Sequence, residues 1–577
     1  MDGLLSGKLT YVFLVSIFDA TVLALAALLW FRRSVQTLMR RRGASGTEAA
    51  GMHPEESSVD RAEPSTSTDL AFALFESADD QRSAQSRSIE LELPMRRRLL
   101  AAYGLGAAGY SLVITALQLG GEEPSLPWVA WLGRWWENAW PVIPTLVALL
   151  VLDRRAMVRL VGWYLLIGVA AVSFFTLAGQ VIRGTFNAAP ITNMYWLLVS
   201  LAWTVWAPLT LIMISGWRRV RAVMPLALAG TLAFGFALML FREGMVWVFD
   251  FGALRSAILD LSVLTSVNVV YYGLFLLMSL PVGVLAWMLL RMLAGRFERK
   301  RFSDVQLIVD CWWAIVAAEQ AALLSNKLGL GAVAGAVAAF VAYRIIVALA
   351  LRSRNRAGFG KRLLLLRVFG YQSRTESLFD KLAQAWRFHG PVQLIAGVDL
   401  ASRTADPGDI LRLLSGGLDM QYVASVEDVG ARMARLDYER DPDGRFRVNG
   451  VYCHNDTWRP AVQALLDSSD SVLMDVRSFA QQNQGCVFEL EQLLLRMPTE
   501  SIVLVVDKST DLRLLGATLE RSWRDALQAG RARGDGKLAL VRVERNSASE
   551  LSVLMRRLWG LGEPRRVLSA QELSTAA

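Results

Sequence analysis

The sequence predicts two fused folds: an α-helical polytopic membrane domain of about nine spans, then a C-terminal α/β domain on a five-stranded, parallel, flavodoxin-like sheet. Three observations predict it. The 577 residues are 54% hydrophobic and 20% charged, with a mean hydropathy of +0.35, too apolar for a chain of this size wholly in water. Apolar runs of spanning length recur as far as Leu351, with basic clusters on alternate connections. Beyond Arg356 the runs shorten to strand length and alternate with amphipathic segments.

A helix needs about 20 apolar residues to cross about 30 Å of hydrocarbon. Residues 10–31, 99–121, 160–182, 222–241 and 328–351 meet that length, and 184–217 and 261–290 each hold one span. Two weaker segments complete the nine: 140–152 carries Pro141 and Pro144, and 305–325 carries Asp310 and Glu319. Arg32 and Arg33 follow the first run instead of preceding it, which makes it an anchor and not a cleaved signal. With the N-terminus extracytoplasmic, the inner connections collect Arg40, Arg41, Arg42, Arg96, Arg97, Arg98, Arg154, Arg155, Arg218, Arg219, Arg352, Arg354 and Arg356 among others. The outer ones hold only Lys8, Arg134, Arg183, Arg242, Arg255 and Lys327, as the positive-inside rule requires of a cell inner-membrane protein with a cytoplasmic C-terminal domain.

The net charge of +9 therefore records orientation in a lipid bilayer, and the basic residues form no face interleaved with aromatics that would bind nucleic acid. Three cysteines without a close pair make no disulfide framework. Asp310 and Arg344 fall about two turns inside an antiparallel helix pair, where an ion pair is the economical reading. Together with Asp19 and Glu319 they alternatively mark a proton or ion path, as in a transporter or channel with a regulatory cytosolic domain.

The domains expected are a first anchor at 1–39, a cytosolic disordered linker at 40–98, an eight-span bundle at 99–356, the α/β domain at 357–562 and a frayed tail at 563–577. The linker is rich in Ser, Thr, Ala and acidic residues, apart from an apolar patch at 70–75. In the α/β domain, buried strands are predicted at 363–368, 392–396, 471–476, 502–506 and 538–543. Helices are predicted at 375–388, 457–467, 485–496, 512–529 and 548–559, with an irregular stretch at 399–455. Ligands of such sheets bind outside the carboxyl ends of the strands, which singles out 369–374, 397–399, 475–478 and 507–510.

The most informative stretch runs from the strand ending Met474-Asp475-Val476-Arg477 to Gly485-Cys486-Val487-Phe488-Glu489-Leu490. Cys486, Glu489 and Leu490 match a Cys-x-x-Glu-Leu pattern, and over 362–560 the chain resembles Toll/interleukin-1 receptor (TIR) domains. It is also similar to the nucleoside deoxyribosyltransferases, in which a Gly-x-x-x-Glu segment, here Gly485 to Glu489, places the nucleophile. Gly485 stands where TIR domains commonly carry tryptophan.

The resemblance implies cleavage of an N-glycosidic bond, with Glu489 as the catalytic carboxylate and NAD as a substrate, no cofactor being required. A carboxylate beside the anomeric carbon stabilises or captures the positive charge that develops on the ribose. Arg367, Ser373 and Arg374, after the first strand, are candidate phosphate contacts, and Asp475 is a candidate for a ribose hydroxyl. The alternatives are structural: Glu489 capping or pairing within its helix, Arg374 pairing with Glu376, and Asp475 capping a turn. Cys453-His454-Asn455-Asp456 lacks a second ligand cluster, since the other histidines are His53 and His389, so no metal is expected. No phosphate-binding Gly-x-x-x-x-Gly-Lys loop or Gly-x-Gly-x-x-Gly turn follows a strand. The expected function is a membrane protein with a nucleotide-binding or signalling domain that self-associates, or alternatively an NAD or nucleoside N-glycosidase.

Overall fold

The structure is a computed structural model that describes residues 2–42, 69–76, 84–120, 128–142, 252–329, 331–351, 360–367, 373–396, 407–454 and 456–575, with scattered positions between 145 and 234. The chain divides into a helical unit, 1–33, 98–352 and 403–417, and an α/β unit, 34–97, 353–402 and 418–577.

The helical unit is built from α1 (Asp2–Arg42) as far as Arg33, α2 (Ala84–Leu119) from Arg98 onward, α3 (Trp128–Asn138), α4 (Gly252–Leu264), α5 (Val267–Glu298), α6 (Asp304–Leu328) and α7 (Gly331–Leu351). Ser266 starts α5 by accepting the amide of Val269 at 3.2 Å, which satisfies one of the donors a helix leaves open at its first turn. Glycines let α2 and α7 approach: a Cβ on Gly106 would lie 2.6 Å from Val347 Cγ2, and one on Gly335 would meet Leu117. Trp313 of α6 is fully buried, with its ring centroid 4.9 Å from both Tyr110 and Tyr343. Two cationic side chains close α2 against its neighbours. Arg98 Nη2 donates to the carbonyl of Ala350 at 3.3 Å, and Lys327 Nζ donates to that of Gln118 at 3.0 Å.

The expectation of nine spans is corrected here. Among the described residues, two helices are long and apolar enough to cross a membrane, Arg96–Leu119 and Gly331–Leu351. Segment 305–325 lies in α6, whose Trp312 and Trp313 are buried in protein, so an apolar run there records a protein core. Segment 261–290 is divided by the break between α4 and α5, and 10–31 lies within the longer α1. The span expected at 184–217, and most of those at 140–152, 160–182 and 222–241, lie outside the described residues.

The α/β unit contains β1 (Ala71–Phe75), β2 (Leu363–Arg367), α8 (Ser373–Trp386), β3 (Val392–Ala396), β4 (Tyr422–Val423), α10 (Asp428–Ala434), β5 (Val448–Cys453), α11 (Trp458–Ser468), β6 (Ser471–Asp475), α12 (Gln484–Arg496), β7 (Ile502–Val506), α13 (Leu512–Gln528), β8 (Lys537–Arg542), α14 (Ala548–Leu558), β9 (Arg566–Ser569) and α15 (Ala570–Thr575). The intervening helix α9 (Pro407–Ser415) belongs to the helical unit.

The sheet has nine strands in the order β4-β5-β3-β2-β6-β7-β8-β1-β9, and it is mixed because β9 runs antiparallel to β1. This corrects the five-stranded parallel sheet. Buried polar positions in β5 (Asn449) and the shortness of β4 and β9 hide those strands from an apolar-run count. The linker at 40–98 is likewise corrected at 71–75, where β1 pairs in parallel with β8, and the tail is corrected at 566–575, which forms β9 and α15. Glu76, just after β1, is ion-paired with Arg542 at 3.2 Å and with Arg565.

Side chains alternate between two covered faces, which is why the central residues of β2 and β6 and all of β7 are apolar. Leu364, Leu366, Val472, Met474 and Leu504 belong to one core with α11, α12 and α13, whereas Leu363, Leu365, Leu473, Val503 and Val505 belong to the other with α8 and α14. The order β5-β3-β2 on one side and β6-β7-β8 on the other means that the chain reverses its direction of travel across the sheet between β2 and β6. The helices that follow the two strands, α8 and α12, pack on opposite faces there, the arrangement at which open sheets of this kind bind ligands.

Candidate functional site at the strand-order reversal

The last residues of the two central strands, Arg367 and Asp475, are register partners at the reversal. Both are buried, and α12 brings Glu489 beside Arg367 from the α11–α13 face. Cys486, one turn earlier on α12, points its Sγ at the carbonyl of Arg367, 4.0 Å away.

Glu489 is 1% exposed, and its Oε2 accepts no hydrogen bond among the described residues. Burial pushes its carboxyl from an ordinary 4.5 up to about 8, although the Arg367 guanidinium opposes the shift. Near neutral pH this group is therefore a protonated acid and a hydrogen-bond donor. Between those two values the folded protein holds a proton that the unfolded chain has released. The stability this group contributes is full below 4.5 and is lost as pH rises toward 8. Glu489→Gln is expected to flatten the decline in stability between about pH 5 and 8, measured by urea unfolding across that range. An unchanged slope in the variant would show that Glu489 does not carry it.

Asp475 is fully occupied. Its two oxygens receive Arg477 Nε at 2.8 Å and Nη2 at 2.7 Å, and Thr375 Oγ1 donates to Oδ2 at 2.8 Å. Arg477 continues to Asn546 Oδ1 at 2.9 Å, and Asn546 Nδ2 donates to the carbonyl of Arg374, also at 2.9 Å. Arg374 pairs with Asp507 at 3.1 Å and donates to the carbonyl of Glu544 at 2.7 Å, so its partner is a strand-end aspartate and not Glu376. Asp507 also accepts the backbone and side chain of Ser509. Ser373 is the first residue of α8, and its side chain lies outside the described residues, as do residues 368–372.

Of the residues singled out by sequence, the reversal thus gathers Arg367, Asp475 and Glu489, and places Arg374 in a neighbouring network that closes the β6–β7 side. Sequence reasoning missed Thr375, Arg477, Asn546 and Asp507 as the partners. Arg477 and Asp507 fall within the strand-end stretches singled out above, but without the pairing that the fold gives them. Missed as well is an aromatic cluster at the helix starts: Trp458 and Phe488 meet edge to face at 5.3 Å, and the Arg459 guanidinium lies 5.0 Å from the Phe488 ring centre. Among the described residues, no group of three or more His, Cys, Asp or Glu gathers to hold a metal.

Asp310 and Arg344 form an ion pair between α6 and α7 within the helical unit, and Tyr343 Oη donates to Asp310 Oδ1 at 3.4 Å. This pair is built into the helix packing, with Trp313 stacked on Tyr343 beside it.

No family model matches the chain, and neither a curated protein nor a solved structure matches it.

Proposed function

We propose that the protein is a membrane-associated signalling protein whose α/β domain binds a nucleotide or a related small polar ligand at the carboxyl ends of β2 and β6. The observation that carries this reading is the reversal of strand order at β2 and β6, where Arg367 ends β2 and the buried acid of Glu489 lies beside it. A guanidinium suits a phosphate, and a protonated carboxyl donates to a ligand oxygen. Lipid is the natural cover for the helical unit. Leu276, Leu277 and Leu280 of α5 are each more than half exposed, as are Leu25 and Leu29 of α1. The basic clusters at 96–98 and 352–356 support a cytoplasmic α/β domain in this reading.

Calorimetric titration of the full-length protein in detergent with NAD and with ADP-ribose tests the binding. Saturable binding weakened about tenfold or more by Arg367→Ala is expected, the effect of about 1.4 kcal/mol from one charge-assisted contact. Absence of binding by both probes would overturn the reading. Resistance of the chain to alkaline extraction from membranes tests the association with lipid.

A second reading, N-glycosidic cleavage, is favoured by the position of Glu489 beside Arg367 at the strand ends; because it uses the carboxylate and burial holds the carboxyl protonated, turnover is expected to rise toward pH 8. NAD turnover by the full-length protein that Glu489→Gln abolishes, with binding retained, would select this reading over a purely sensing domain.

A further inference from the structure

The helix α9 lies between β3 and β4 in the chain, yet it packs with the helical unit. Its apolar residues Ile410 and Leu411 are 1% and 0% exposed. Leu411 is buried in a cluster with Ala294 and Phe297 of α5 and Phe302, Leu307 and Cys311 at the turn into α6 and in that helix. Gly408 faces the Phe297 ring so closely that a Cβ there would lie 2.7 Å from Cε1 and 2.8 Å from Cζ. A side chain at this position would push on the Phe297 ring. Cys311, in the same cluster, is the neighbour of Asp310, which anchors the ion pair to α7.

The other end of α9 is joined to β4 by a short connection. The helix closes with the amide of Gly417 on the carbonyl of Arg412 at 2.8 Å, and Gly416 takes a φ of +80° that favours glycine. Only Gly416 and Gly417 then separate α9 from the 3₁₀ turn Leu418–Gln421, which runs directly into β4. Two residues span at most about 7 Å, so the link has little slack. Within the α/β unit, Val423 of β4 accepts Thr457 Oγ1 at 3.1 Å, and Thr457 Oγ1 also accepts the amide of His454 at 3.0 Å. Thr457 precedes α11, whose Trp458 packs on Phe488 of α12, the helix that bears Glu489.

We propose that α9 is the transmission element of this protein: its seat on α5 and α6 and its two-glycine link to β4 tie the helix starts at the sheet's carboxyl edge to the state of the helical unit. The significance of that destination rests on the ligand site proposed above, but the coupling is tested without ligand, so the two fail separately.

The experiment uses the full-length protein in detergent and two readouts: the alkylation rate of Cys311, and amide hydrogen exchange at the end of β5 and the first turn of α11. Leu411→Asp unseats α9 and is expected to raise both by about tenfold or more, with exchange in β6 unchanged. Four glycines inserted between Gly417 and Leu418 are expected to leave the Cys311 response intact and remove the response at β5 and α11. Gly408→Ala, a milder push on Phe297, gives the same pattern with smaller amplitude and serves if the charged variant does not fold. Unchanged Cys311 labelling would show that the seat is absent. Exchange at β5 and α11 that stays constant, or that rises equally with the inserted glycines, would overturn the transmission role.

Discussion

Phe72→Ala is expected to destabilise the α/β unit by about 3–5 kcal/mol, the range for emptying a fully buried phenylalanine site. Phe72 sits in β1, is 0% exposed and shares a core with Leu538, Leu540 and Leu573. Its strand is hydrogen-bonded on both sides, to β8 and to β9, so loosening β1 opens the β8 edge and strips β9 of its partner. Urea unfolding followed by tryptophan fluorescence gives the energy, and hydrogen exchange of the full-length chain gives the location. Accelerated exchange in β8 and β9 with β2 and β3 unaffected is expected. A shift below about 1 kcal/mol, the size of a typical surface substitution, would show that the segment at 71–75 is an accessory to the sheet and not a part of it.

The second large effect is expected from Arg477→Ala. Asp475 and Arg477 are 1% and 5% exposed, and the guanidinium is the charged partner of the carboxylate at 2.7 Å. Removing it leaves a buried charge held only by the Thr375 hydroxyl and a backbone amide, a situation that costs about 3–5 kcal/mol. Asp475→Asn combined with Arg477→Met removes both charges and is expected to recover most of that loss, because an absent pair is cheaper than a broken one. A single-variant cost within the 0–1 kcal/mol typical of surface pairs, about the same as in the double variant, would contradict the buried network.

The alternation of strand and helix from 363 to 543 was legible because fully buried parallel strands are written as short unbroken apolar runs. The strands at 392–396 and 502–506 coincide with the expected ones, and the edges of the others differ by a residue. What escaped depends on pairing between distant parts of the chain. The five residues of β1 look like a chance apolar patch in polar surroundings until β8 accepts them. β5 was hidden because Asn449 and Gly450 interrupt its apolar pattern, and Asn449 is buried through bonds to the backbone of Asp437, which no local rule supplies. The helix that carries Glu489 is expected at 485–496 and is found at Gln484–Arg496. The partner of Arg374, however, lies 133 residues away, and Glu376 was only the nearest acid in sequence. The number of spans was over-read because hydropathy does not separate a helix facing lipid from one such as α6 that buries its tryptophans against other helices.

The position of β1 also sets an order of events during synthesis. Glu76 and Arg542, bridged in the finished domain, are separated by 466 residues, so the first strand emerges from the ribosome long before β8 exists to receive it. At about 5–20 residues per second the wait is roughly half a minute or longer, far beyond the time that local elements need to form. Throughout it Ala71–Phe75 is an apolar strand without a template. The strand is thus made long before either of its partners, and throughout that interval its apolar side chains are open to wrong pairing.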